Sequence, residues 1–145
     1  MNVGEHMSHP VISVSPTTPV AAAMKLIHDK HIRRLPVTED GCLVGIVSER
    51  DLLRATPSPA TLLSVWEIPE LLDRLLVRDV MNRDVITVSP ETPIQDAAQL
   101  MVDHKIGGLP VEEPGGRVVG MITETDIFRI FCSMFAGEAT LAGAR

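Results

Sequence analysis

The sequence predicts an α+β chain made of two copies of one β-α-β-β-α unit, and three observations carry that expectation. First, Val11 to Gly41 recurs as Val85 to Gly115 at an offset of 74 residues (85 − 11): VISVSPTTPV lies over VITVSPETPI, and IRRLPVTEDG over IGGLPVEEPG. Past the turn the offset becomes 75 (120 − 45), and LVGIVSERDLLR aligns with VVGMITETDIFR. The extra residue falls in the Gly115-Gly116 loop, where insertions are tolerated. Second, each copy alternates short β-branched runs with stretches of helical periodicity. Third, the punctuation between these stretches repeats at matching positions, which outranks any local motif as evidence of organisation.

In order along a copy, Val11 to Val14 and Val85 to Val88 read as strands closed by Ser-Pro turns. A helix follows, with Thr18 and Thr92 expected as N-caps ahead of Pro19 and Pro93 at the first helical position; Thr92 to Gln95 has capping-box spacing. Val20, Ala23 and Ile27, matched by Ile94, Ala97 and Met101, form the apolar stripe. Leu35 to Val37 and Leu43 to Val47 flank a turn containing Gly41 and predict a hairpin, repeated by Leu109 to Val111 and Val118 to Ile122. A last helix opens at Ser48 and at Thr123. The strands are too few and too short to stand alone, so the copies must pack with each other. Even the lead-ins agree, since Met7 falls on Met81.

This organisation gives a first copy at residues 3–54, an inter-repeat linker at 55–76, a second copy at 77–131 and a helix end with tail at 132–145. Within the linker, Pro57-Ser58-Pro59 breaks the chain and Pro69 opens an amphipathic turn or short helix with Leu71, Leu72, Leu75 and Leu76. Trp66 belongs to the same hydrophobic flap, and Ala136 to Arg145 reads as a frayed tail.

Composition excludes several function classes. At 145 residues and 45% hydrophobic content there is core enough for one compact module, not for a catalytic domain with a separate regulatory one. A net charge of −6, 3% aromatic residues and no tyrosine argue against nucleic acid. No apolar run approaches a bilayer span and Met1 to His9 lacks a signal-peptide core, so a soluble cytoplasmic protein is expected. Cys42 and Cys132 have neither metal-type spacing nor the numbers for a disulfide framework. His6 with His9, and His28 with His31, are spaced to share a helix face; without a third ligand they read as surface histidines, and no metal is expected. No nucleophile-base pair or phosphate loop is present, so no catalysis is expected.

The chemistry-bearing constellation is Gly45-Ile46-Val47-Ser48-Glu49-Arg50-Asp51, repeated as Gly120-Met121-Ile122-Thr123-Glu124-Thr125-Asp126. Ser48 and Thr123 suit an N-cap, and the acid three residues on completes a capping box. An ionised carboxylate there also accepts two hydrogen bonds from adjacent hydroxyls, as a ribose diol offers. Capping occupies one side of the carboxylate and leaves the other available.

The doubled unit, the LPV strand and the G-h-h-[ST]-x-x-D ending, with h hydrophobic, resemble the CBS domain pair, or Bateman module, of the bacterial or archaeal type, over residues 3 to 131. The resemblance implies two repeats related by a pseudo-twofold axis, with clefts between them that bind AMP, ADP, ATP or S-adenosylmethionine as a regulatory ligand rather than a cofactor. By position, Asp51 and Asp126 would hold ribose hydroxyls beside Ser48 and Thr123. Ile12 and Ile86 would meet the adenine edge through backbone groups, and Ile32, Ile106, Pro36 and Pro110 would line its apolar slot. Arg33-Arg34 becomes Gly107-Gly108 in the second copy; in the similar kinase-regulating gamma subunits basic residues here contact phosphates, a task two guanidiniums suit. The resemblance further implies a homodimer formed through helices and a regulated partner protein or domain. A ligand-free dimerisation or interaction scaffold is the competing expectation.

Overall fold

A computed structural model of the chain describes residues 1–56 and 73–136. Its elements are α1 (Val3–His6), α2 (Val20–Lys30), β1 (Arg34–Glu39), β2 (Cys42–Ser48), α3 (Glu49–Ala55), α4 (Val77–Val80), α5 (Ile94–His104), β3 (Gly108–Glu112), β4 (Val118–Thr123) and α6 (Glu124–Met134). The expectations for Pro57 to Pro59, Trp66 and Pro69 to Leu72, and for the tail beyond Ala136, lie outside the described residues.

β1 pairs antiparallel with β2, and β3 is the neighbour of β4. Asp40 and Gly41 form the two-residue loop of the first hairpin with φ of 52° and 82°. Positive φ at both positions suits the right-handed twist of the flanking strands, and Asp-Gly meets that demand.

The chain forms two compact units. One comprises 1–11, 86–113 and 119–145; the other comprises 12–85 and 114–118. Each has its own core. Val14, Val20, Ala23, Ile27, Leu35, Val37, Val47, Leu52 and Val77 pack in one, and Val3, Val88, Ile94, Ala97, Met101, Leu109, Val111, Ile122 and Ile130 in the other. The stripes read from periodicity on α2 and α5 are buried as expected.

The lead-in segments are exchanged. α1, which precedes the first copy, completes the unit of the second; α4, which precedes the second copy, completes the unit of the first. The two exchanges match at the 74-residue offset. Val77 N–H donates to Thr18 C=O and Val3 N–H to Thr92 C=O, at 2.8 and 2.9 Å; Arg78 donates to Pro16 and Gly4 to Pro90, at 2.9 and 2.8 Å. Further along, Asn82 and Ile46 exchange backbone bonds, as do Ser8 and Met121.

Two expectations need correction. Thr18 and Thr92 do not cap helices: each hydroxyl accepts from the N–H of Ser15 or Ser89, closing the preceding turn. Pro19 and Pro93 occupy the N-cap positions instead, with extended ψ of 144° and 142° and no side-chain oxygen to offer. The first helical N–H groups therefore find backbone acceptors from the exchanged segments, Val20 on Leu75 C=O at 2.8 Å and Ile94 on Met1 C=O at 3.0 Å. The Thr92–Gln95 capping box consequently does not form. The first strand of each copy is also reduced, to single parallel bridges of Val14 with Val37 and Val88 with Val111.

Gly45 and Gly120 mark where the exchanged segments press on β2 and β4. A Cβ on Gly120 would sit 2.8 Å from Ser8 C=O and 2.7 Å from Met7 Sδ; on Gly45 it would sit 3.0 Å from Asn82 C=O and 2.7 Å from Met81 Sδ. The backbone carbonyl in each pair has little room to retreat. Gly120→Ala is therefore expected to lower unfolding stability by about 1–3 kcal/mol, whereas Val102→Ala, on the exposed side of α5, is expected to stay within about 0.5 kcal/mol. Denaturant melts of the two variants check this, and equal, small effects would refute the close approach.

Candidate functional site

The best-defined polar constellation in each unit is the strand-to-helix junction. At the start of α3, Ser48 N–H donates to Asp51 Oδ2 at 2.9 Å and Asp51 N–H to Ser48 Oγ at 3.1 Å. At the start of α6, Thr123 N–H donates to Asp126 Oδ2 at 2.9 Å, the Thr123 hydroxyl donates to the same oxygen at 3.1 Å, and Asp126 N–H reaches Thr123 Oγ1 at 3.4 Å. Both are reciprocal capping boxes, as the spacing predicts. In each, Oδ2 closes the cap while Oδ1 accepts no hydrogen bond among the described residues.

The two carboxylates are not equivalent. Asp51 is half-buried, whereas Asp126 is 7% exposed. Arg129 Nη1 stands 3.7 Å from Asp126 Oδ1, from a side chain 76% exposed. Arg54 has the same spacing from Asp51 but forms no such pair among the described residues. Sequence reading overlooked Arg129, although an acid followed three positions later by an arginine on a helix was the available signal.

The basic pair adjoins the first of these junctions. Arg34 is the cross-strand partner of Ser48, and Glu49 N–H donates to Arg33 C=O at 2.7 Å. Within this unit Arg33 and Arg34 thus lie at the entry to α3 that carries Asp51. The sequence alone left open which aspartate neighbours them. In the other unit Glu124 N–H donates to Gly107 C=O at 2.9 Å, the same backbone arrangement without the guanidiniums.

The isoleucine and proline positions are linked by ladder geometry. Val14 N–H donates to Pro36 C=O at 3.1 Å and Thr38 N–H to Val14 C=O at 2.9 Å; Val88, Pro110 and Glu112 repeat the pattern at 3.1 and 2.9 Å. One step back along this parallel ladder, Ile12 C=O would need an N–H from Pro36, and Ile86 C=O one from Pro110. Proline has none, so the ladder stops there. The carbonyls of Ile12 and Ile86 accordingly accept no hydrogen bond among the described residues, and their N–H groups have no partner there either. Ile12 is 37% exposed; Ile86, Ile32 and Ile106 are half-buried. Pro36 and Pro110 are less than 2% exposed, and each marks the early end of its ladder.

The histidine pairs do not share helix faces. α1 ends at His6 and α2 at Lys30, leaving His9 and His31 beyond them, with His31 at φ 54° as the left-handed C-cap. Among the described residues no three His, Cys, Asp or Glu side chains cluster as metal ligands, and no described helix is long and apolar enough to cross a membrane.

Comparison with known proteins matches this architecture. The CBS domain family matches residues 3–58 and 77–133. A CBS domain-containing protein of Dictyostelium discoideum is 35% identical over 126 residues, covering 86% of this chain and 87% of its own length. Other curated relatives are longer, inosine-5'-monophosphate dehydrogenases among them, and the chain spans between 21% and 46% of five of these. Among solved structures, the CBS domain pair of protein MJ0100 in complex with 5'-methylthioadenosine and S-adenosyl-L-methionine superposes with a TM-score of 0.77 at 27% identity, covering 92% of this chain and 98% of that one. CBSX2 of Arabidopsis thaliana in complex with AMP gives 0.76 at 29% identity, with 92% and 97% covered. Repeat, capping junctions and proline-ended ladders together with these matches place the chain in the CBS domain family, as a tandem pair.

Proposed function

We propose that the chain is a non-catalytic, cytoplasmic regulatory module that binds an adenine nucleotide or S-adenosylmethionine and signals by a ligand-dependent change of conformation. The observation that carries this reading is the Oδ1 of both capping aspartates, which accepts no hydrogen bond among the described residues and in Asp126 is met only by the exposed guanidinium of Arg129 at 3.7 Å. A carboxylate whose other oxygen is locked by the helix cap is a pre-oriented acceptor for a ribose diol, and charge-assisted bonds of this kind contribute about 1.5–3 kcal/mol each. Ile12 and Ile86, whose carbonyls the prolines leave without a ladder donor and whose N–H groups bond to no described residue, suit the hydrogen-bonding edge of an adenine. The adenosyl ligands held by the structurally similar CBS pairs support the same class. Signalling requires that the ligand bind one conformer better than another. The module acts as a homodimer on a partner protein or domain.

Arg33 and Arg34 make the two junctions chemically different. The junction bearing Asp51 suits ligands with phosphate, and the one bearing Asp126, with Gly107-Gly108 and a neighbouring Arg129 on its carboxylate, suits a neutral or less charged adenosyl group.

Thermal shift tests the reading directly: a ligand at about 100 times its Kd should add roughly 2.7 kcal/mol of stability. AMP, ADP, ATP and S-adenosylmethionine form the panel, and a flat response to all of them would favour a ligand-free interaction scaffold, for which the exposed aromatic side of α6 is the supporting observation. Asp51→Ala and Asp126→Ala are each expected to weaken one site at least about tenfold while costing only a cap, about 0.5–2 kcal/mol. Calorimetric titration together with a melt separates these effects, and a variant that binds normally, or one that simply unfolds, would count against the assignment.

A second titration concerns the arginines. Replacing Arg33 and Arg34 by glycine, as in the other copy, should weaken AMP and ATP on the order of tenfold or more, the scale of one lost charge-assisted bond, and leave adenosine nearly unchanged. Equal losses for adenosine and ATP would remove the arginines from the phosphate site.

A further inference from the structure

The capping carboxylate of α6 meets a single charge from outside the cap. Asp126 lies on the buried side of the helix, 7% exposed, and the Thr123 N–H and hydroxyl take its Oδ2 at 2.9 and 3.1 Å. Among the described residues every fully buried side-chain oxygen has a hydrogen-bond partner. Oδ1 of Asp126 accepts no hydrogen bond there, so this oxygen keeps an opening to solvent. Arg129 Nη1 stands 3.7 Å from it, on a side chain 76% exposed. That separation is too long for a hydrogen bond; the guanidinium is drawn to the oxygen by charge and is not clamped on it.

The first copy keeps the spacing without the contact. Arg54 follows Asp51 by three positions, as Arg129 follows Asp126, yet Arg54 is exposed and forms no ion pair among the described residues. The neighbouring side chains differ. Four positions before Arg54 stands Arg50, and four positions before Arg129 stands Thr125. Two like charges at that spacing share a helix face and repel. On α6, by contrast, Asp126 is the only charged residue within four positions of Arg129, so nothing on the helix competes for the guanidinium.

We propose that Arg129 competes with the ribose for Asp126 Oδ1: it rests against this oxygen before a ligand arrives and moves aside for the diol, and in doing so it sets the affinity and the salt response of this junction. The proposal rests on the reading of Asp126 as a ribose acceptor and adds the regulation of that site. A guanidinium and a hydroxyl are both donors, and both must reach Oδ1 through the small exposed part of Asp126. Salt screens an ion pair with one partner in water, so it loosens Arg129 and favours the diol. At the other junction, where Arg33 and Arg34 attract phosphate, salt acts the opposite way on a charged ligand.

The test is calorimetric titration of adenosine, which carries no phosphate, into the full chain bearing Asp51→Ala, so that the Asp126 junction is read alone. Two salt concentrations are compared, about 0.05 and 0.5 M NaCl, between which the screening length falls from roughly 14 to 4 Å. Adenosine is expected to bind more tightly at the higher salt. Adding Arg129→Met, which keeps the apolar stem and removes the charge, should tighten binding about two- to fivefold at low salt, the scale of a partly exposed ion pair, and abolish the salt response. Arg129→Lys should retain the salt response. Melts of each variant show whether the fold is intact, which the exposure of Arg129 leads us to expect. Unchanged affinity and an unchanged salt response in Arg129→Met overturn the competition and leave Asp126 as a ribose acceptor. Weaker binding in that variant makes Arg129 a contact of the ligand, and overturns the competition equally. A folded Asp51→Ala chain that takes up no adenosine overturns the reading of the Asp126 junction, and the proposal with it.

Discussion

A proline at a helix N-cap contributes no side-chain oxygen, and a helix begun that way still has N–H groups to satisfy. In this chain the first of them, on Val20 and on Ile94, are met by carbonyls of Leu75 and Met1, which arrive on segments borrowed from outside the copy they complete. Val77 and Val3 then enter the two cores with no exposed surface. The rest of each unit follows from that docking. Gly45 and Gly120 must stay small because the borrowed segment passes over them, and β2 and β4 are held where α3 and α6 can begin. The capping aspartates therefore owe their position to residues about 30 to 120 positions away in the chain.

At those junctions one residue type performs two tasks because a carboxylate has two oxygens. Oδ2 is committed to backbone amides, which fixes the rotamer; Oδ1 is then aimed without further entropy cost. The proline of the LPV strand works by subtraction in a similar way. By withholding an N–H it ends a ladder one residue early and leaves the carbonyls of Ile12, 37% exposed, and Ile86, half-buried, without a ladder donor. Divergence between the copies is superimposed on this common frame through Arg33-Arg34, through Arg129, and through the added turn of α6.

Much of this was legible in the residues. The duplication gave the architecture, the apolar stripes on α2 and α5 are buried as their period required, and Ser48 and Thr123 cap as their spacing indicated. The misreadings share one physical cause, which is that local pattern does not report distant partners. Thr18 and Thr92 are good N-cap residues followed by proline, and nothing nearby reveals that their hydroxyls close a Ser-Pro turn instead. Val11 to Val14 is a sound β-branched run, but a ladder needs donors on the neighbouring strand, and Pro36 withholds one. His31 keeps helical spacing from His28 while standing past the helix end. The exchange of lead-ins was visible only as the Met7–Met81 correspondence, which says that the segments are alike and not which core each one enters.

Exchanged lead-ins also set an order of assembly. The unit built around the first copy has its parts within residues 12–85, apart from the short loop 114–118, whereas the unit of the second copy needs residues 1–11 together with 86–113 and the segment that begins at residue 119. During synthesis the opening segment must remain unpaired until some ninety residues later its docking site emerges, which makes its contact among the most non-local in the chain and slow to form. Severing the polypeptide in the linker would not liberate two self-sufficient halves: each fragment would carry the other's missing piece.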